Sequence, residues 1–337
     1  LSSLEAFYLT DRDRRELAEM PPLRRLFRRV LWFIRGLLMK LTPARRIMLA
    51  AALLFLALGI QRVEFETFRA TLRFQPIGTL LILAVLTLEL KDKLTARDEL
   101  EAGRKVQMAL LPDESPAIPG WDVWLYTQPA NDVGGDLVDH LPLGRGRHGV
   151  ALGDVAGKAL PAALLSVKLQ ATLRALGPEF EGLGDLGAAV NRILQRDGLP
   201  TRFASLVYLV VAPDSGEIRV LNAGHMPPLV ARGADVTTLE RGGVVLGIMP
   251  DSTYSEQRVE LAPGDVLIAY SDGVSEATNE QGEFFGDERL YRVAVPPAGL
   301  SARAIGLQIL DDVRRFMGRE APKDDISLMV LKRIRNV

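Results

Sequence analysis

The chain has 337 residues and a formal net charge of −1, with 48% hydrophobic and 25% charged residues. That length allows two domains of ordinary size, and so balanced a charge argues against a nucleic-acid partner. With no cysteine present, disulfides, thiolate metal sites and a cysteine nucleophile are excluded, so any metal must rest on carboxylate, histidine or carbonyl groups.

Residues 1–46 form a basic segment, in which Arg24, Arg25, Arg28, Arg29, Arg35, Lys40, Arg45 and Arg46 surround an apolar patch at 30–34. Two charge-free apolar runs follow, 47–61 and 74–88, joined by a loop over 62–73. As a helix each run reaches ~22 Å, short of the ~30 Å hydrocarbon core. Length alone leaves a pair of buried core helices open. Basic residues before the first run and after the second (Lys91, Lys93, Arg97) favour a transmembrane hairpin over 47–90 with both ends on one side. Residues 91–111 read as a linker or signalling helix of alternating charge, and 89–111 offer an apolar stripe (Leu90, Leu94, Leu100) for a homodimer. Pro112, Pro116 and Pro119 then open a new domain over 112–335.

In that domain strand-like runs at 121–127, 149–153, 203–211, 217–221, 228–231, 265–271 and 326–331 alternate with helical patterns at 161–176, 186–195 and 301–317. The tight turn Asp214-Ser215-Gly216 favours antiparallel hairpins. The expectation is an α+β sandwich whose helices cover the sheets.

Acidic residues fall at the ends of these strands. Gly134-Gly135-Asp136-Leu137-Val138-Asp139 follows one, Gly153-Asp154-Val155-Ala156-Gly157-Lys158 closes the next, Ser271-Asp272-Gly273-Val274 closes a third, and Asp324-Asp325-Ile326-Ser327 opens the last. Singly, each is an ordinary turn. Together they offer the oxygen-only ligand set of a hard divalent cation, whose charge would relieve their mutual repulsion. The histidines, His140, His148 and His225, are scattered and read as structural rather than ligating.

These motifs, with Phe203-Ala204-Ser205, Asn222-Ala223-Gly224-His225, Leu246-Gly247 and the approach Val106-Gln107-x-Ala109-Leu110-Leu111-Pro112, resemble the bacterial SpoIIE/RsbU-type serine phosphatases of the metal-dependent PPM superfamily. The resemblance covers about residues 100–335. It implies a four-layer α-β-β-α sandwich holding two divalent cations, Mn²⁺ or Mg²⁺. Asp154 would bridge both ions, Asp136 and the Val155 carbonyl would complete one, and Asp272 and Asp324 would hold the other. Whether Asp324 or its neighbour Asp325 is the ligand stays open. Asp139, Asp325, Lys158, Asn222 and His225 are expected around the ligands, and Lys158 stands where many relatives carry histidine. The implied substrate is a phosphorylated protein, a STAS-type anti-sigma-factor antagonist, in a bacterium; the hairpin reading then places the catalytic domain on the cytoplasmic side of the inner membrane. A catalytically silent binding module of the same fold and a hydrolase of small phosphoesters are the competing readings.

Overall fold

The computed structural model describes residues 38–65, 68–197, 202–213, 215–295 and 299–335, together with Pro21, Arg24, Arg28, Trp32, Arg35 and Gly36. The chain divides into two compact units, Leu1–Asp98 and Glu99–Val337.

In the first unit, helix α1 (Pro43–Leu58) leads into a two-stranded ribbon, β1 (Ile60–Phe65) and β2 (Phe68–Arg73), and then into helix α2 (Gln75–Leu110), which runs on into the second unit. Pro43 at the first helical position of α1 suits its start, because a missing N–H costs nothing there. Within the unit Arg45 reaches Glu89 at 2.7 Å and Asp92 at 2.6 Å. The expected loop at 62–73 is thus largely a β-hairpin, and the expected linker helix is the second half of one 36-residue helix. The transmembrane pair expected over 47–90 is not found. Among the described residues no helix is long and apolar enough to cross a membrane. The cause is plain in the residues: α1 has 16 residues, about 24 Å, and the apolar stretch of α2 ends at Glu89, Lys91 and Asp92. Most of the expected basic segment 1–46, including residues 1–20, lies outside the described residues.

The second unit contains β3 (Trp121–Gln128), β4 (Leu137–Gly144), β5 (Arg147–Val155), α3 (Ala159–Leu176), α4 (Leu183–Asp197), β6 (Ala204–Val211), β7 (Glu217–Ala223), β8 (Leu229–Arg232), β9 (Asp235–Thr238), β10 (Glu256–Glu260), β11 (Val266–Tyr270), α5 (Asp272–Ser275), α6 (Asp287–Val293), α7 (Ala302–Met317) and β12 (Ile326–Arg333). One antiparallel sheet has the order β10-β7-β6-β5-β4 and the other β3-β12-β11-β8-β9. Alternate residues of the strands serve different cores, as the two-residue period of a strand requires. Val150, Leu152, Val207 and Leu209 meet Leu267, Met329 and Leu331 between the sheets. Leu206 and Tyr208 instead meet Leu169 and Leu173 of α3, and Leu328 and Val330 meet Ile305 and Ile309 of α7. The layering is therefore helix, sheet, sheet, helix. Helix α7 starts cleanly because the Ser301 hydroxyl accepts from the Ala304 N–H, and its buried stripe of Ile305, Ile309, Leu310 and Val313 has the helical spacing.

Candidate metal centre

The C-terminal end of β5 and the N-terminal end of β4 are neighbours in one sheet, and the C-terminal end of β11 and the N-terminal end of β12 in the other. All four ends lie at the same edge of the sandwich, which is why four separate motifs arrive together. Asp154, the penultimate residue of β5, has its carboxyl pushed up to about 7, first by burial and then by Asp272, Asp324 and Asp325. Asp136, just before β4, is 7% exposed and is held well above the usual carboxylate range by burial and by Asp154. The Ser327 hydroxyl lies 2.5 Å from Asp136 Oδ2 and ties it to β12. Asp272, the first residue of α5, is raised by burial and then by Asp324 and Glu276. The Val155 carbonyl faces the same loop, 3.1 Å from where a Cβ on Gly135 would stand.

The two candidates before β12 separate. Asp325 is 7% exposed and spends its carboxylate on backbone: Oδ1 accepts from Ala130 N at 2.7 Å, and Oδ2 from Gly135 N at 2.6 Å and Asp136 N at 3.3 Å. It holds the Asp136 loop. Asp324 is half exposed, with Lys158 Nζ 3.7 Å from its Oδ2, and Lys158 also donates to Lys323 O at 3.4 Å. Space for the arrangement depends on glycine. A Cβ on Gly134 would stand 2.5 Å from Asp325 Oδ2, and one on Gly273 2.1 Å from Asp325 O.

Asp139 is fully buried but turns onto α3, where Arg174 donates to both its oxygens at 2.8 and 2.7 Å. It is consumed by an ion pair. Asn222 shapes the turn after β7, its Oδ1 accepting from His225 N at 2.8 Å. His225 is 3% exposed. Its Nε2 lies 3.1 Å from Tyr270 O, a pure acceptor, so Nε2 carries the proton and Nδ1 accepts from the Ser205 hydroxyl at 2.6 Å. Burial pulls this imidazole down to about 4, so it is neutral near pH 7.

Among the described residues no three acidic or histidine side chains close tightly enough to enclose an ion alone. The donors nevertheless fit a divalent cation of the Mg²⁺ kind: all oxygen, open to water, and repelling one another without a counter-charge. Three supporting residues were not assigned from sequence, though each sits in a quoted motif or beside one. They are Ser327, Ser205 and Gln107, whose amide exchanges hydrogen bonds with Gly134 O at 2.8 Å and Gly134 N at 3.2 Å. Arg174 carried no sequence signal.

With this geometry the comparisons with known proteins become informative. The family profile described as "Stage II sporulation protein E (SpoIIE)" matches residues 144–334, more than half of the chain. The chain belongs to the SpoIIE family. Among similar proteins, IcfG of Synechocystis sp. is 28% identical over 277 residues, covering 73% of this chain but 43% of its own length. The phosphoserine phosphatase RsbU of Bacillus subtilis is 27% identical over 239 residues, 70% of each chain. The SiaA PP2C domain of Pseudomonas aeruginosa superposes with a TM-score of 0.59 at 20% identity, over 72% of this chain and 98% of that one, which shows the shared fold. The SpoIIE-family match takes in Asp154, Asp272, Asp324 and Asp325, and Asp136 lies just N-terminal to it.

Proposed function

We propose that this SpoIIE-family chain is a metal-dependent protein serine/threonine phosphatase. The observation that carries the reading is the edge cluster of Asp136, Asp154 and Asp272, three carboxylates raised by burial and by neighbouring carboxylates, with no cationic side chain paired to them among the described residues. Asp154 would hold two ions, Asp136 and the Val155 carbonyl one of them, and Asp272 and Asp324 the other. Two divalent cations, Mn²⁺ or Mg²⁺, would supply Lewis acidity toward phosphoryl oxygens and an acidified water as nucleophile. The remaining work falls to the chain. Asp325 and Ser327 tie the Asp136 loop to the start of β12, and Gln107 ties it to the end of α2. Lys158, two-thirds exposed beside Asp324, can turn toward the phosphoryl oxygens or the departing serine oxygen. His225 uses both nitrogens internally and stays neutral, so it is a poor source of the leaving-group proton.

Similarity to the phosphoserine phosphatase RsbU supports a phosphoserine substrate, and the protein that carries it is, in this reading, the STAS-type anti-sigma-factor antagonist that the motif resemblance implies. The test compares phosphate release by the full chain from a phosphoserine protein and from nucleoside triphosphates, each with Mn²⁺ and with chelator. Metal-dependent turnover of the phosphoprotein, at least a hundredfold above that of nucleotides, is expected. Turnover of nucleotides alone would overturn the reading.

A further inference from the structure

Asp154 and Asp272 line a cleft of about 170 Å³ together with Phe203, Met226 and Val245 and the hydrogen-bonded pair Ser205 and His225. Phe203 on its wall is 37% exposed, and the loop that carries Val245 also exposes Val244 at 44%, Ile248 at 52% and Met249 at 55%. Neighbouring exposed apolar side chains mark a candidate interaction surface when the loop that carries them is held in place. This loop is pinned.

Leu246 is fully buried and exchanges backbone hydrogen bonds with Ala204 at 2.9 and 2.7 Å. Asn191 on α4 accepts from Gly247 N at 2.8 Å and donates to Met249 O at 3.0 Å, and Gln195 donates to Gly247 O at 2.7 Å. Gly242 N is bound by Asn222 O at 2.8 Å. Side chains of one helix are therefore committed to holding apolar residues in water beside the acidic cluster, an arrangement that lowers the ordering cost of a partner's docking.

We propose that this cleft seats an apolar side chain of the protein substrate immediately next to the phosphorylated residue, with Ile248 and Met249 covering the following one. The inference rests on the phosphatase reading. Position selects the occupant: the cleft shares Asp154 and Asp272 with the acidic cluster where a metal-bound phosphoryl group would sit, so a residue that enters it is a close neighbour of the phosphorylated one. The chemistry of the walls selects its character: Phe203, Met226 and Val245 offer no charge or hydrogen bond to a polar side chain, and Ser205 and His225 spend theirs on each other and on Tyr270 O.

The experiment uses the full chain with Mn²⁺ and one phosphoserine dodecapeptide sequence made with Leu, Gly or Glu directly before or directly after the phosphoserine. The inference expects kcat/KM for Leu at one of the two positions to exceed that for Glu at least tenfold, carried mainly by KM. It also expects Phe203→Ala and Ile248→Ser, both at exposed positions, to reduce that preference to within about threefold. Turnover of all peptides at equal efficiency, or variants that keep the preference, would overturn the cleft assignment and leave the phosphatase reading standing. Absence of turnover on every phosphoserine peptide and protein would overturn both.

Discussion

Asp325 accepts hydrogen bonds from three backbone N–H groups belonging to the loop that presents Asp136 and Ala130, and it touches solvent hardly at all. Hydrogen bonds to a buried carboxylate are among the stronger ones, and Asp325→Ala also leaves those donors unpaired, so a loss of about 3 kcal/mol is expected. Urea denaturation reads it; a midpoint unchanged from wild type would contradict the role. Gly273→Ala forces a methyl to within 2.1 Å of a backbone oxygen, and the expected result is a chain that fails to bind Mn²⁺ or to fold. His225 carries a pH prediction. Its folded pKa, about 4, lies below the ordinary 6.5, so the neutral form is favoured in the fold and the contribution is present above 6.5 and lost as pH falls toward 4. The difference in melting temperature between wild type and His225→Gln should therefore shrink as pH falls from 6.5 to 4. A constant difference would contradict it.

At the scale of elements, Arg174 on α3 closes a bidentate pair with the fully buried Asp139 of β4 and also donates to Leu110 O at the end of α2. Arg174→Ala strands a buried carboxylate; because the guanidinium is 40% exposed, the cost is set at about 2–3 kcal/mol, below that of a fully buried pair. Calorimetry would show it. Gln107, near the same helix end, grips Gly134 from both sides, and Gln107→Ala should raise the Mn²⁺ concentration needed for half-maximal turnover several-fold with little change in melting temperature. The strands and helices that the sequence made legible are those with continuous apolar runs, such as β6 and β11, or a full apolar stripe, such as α7. Strand β4 was not expected because Asp139, His140 and Pro142 interrupt its apolar run, and in the fold Asp139 is paired by Arg174 of α3 and His140 by His148 of β5. Strands β9 and β10 are short, polar edge or near-edge strands, and α6 has seven residues, too few to show a period. At the site, the aspartates were legible from their glycine-flanked positions. What separates Asp324 from Asp325, and Asp139 from the cluster, is the direction of a side chain, which only packing decides.

For the whole molecule, the unit over residues 99–337 places one open, acid-rich edge between two antiparallel sheets, and the unit over residues 1–98 exposes many leucines, among them Leu53, Leu54, Leu80, Leu83 and Leu86. A second copy is the occupant we propose for that apolar surface, together with residues 89–111, and sedimentation of the full chain should give a dimer that Leu83→Glu with Leu86→Glu converts to monomer. Residence at the inner face of a bacterial membrane is a separate proposal, tested by cell fractionation with and without a carbonate wash. The central claim is chemical. Its most direct test is phosphate release from a phosphoserine protein by the full chain, as wild type, Asp154→Asn and Asp272→Ala, across a Mn²⁺ titration and with chelator. The account predicts turnover that saturates with Mn²⁺, vanishes with chelator, and falls at least a thousandfold in both variants. Turnover unaffected by chelator, or equal in the variants and wild type, would contradict it.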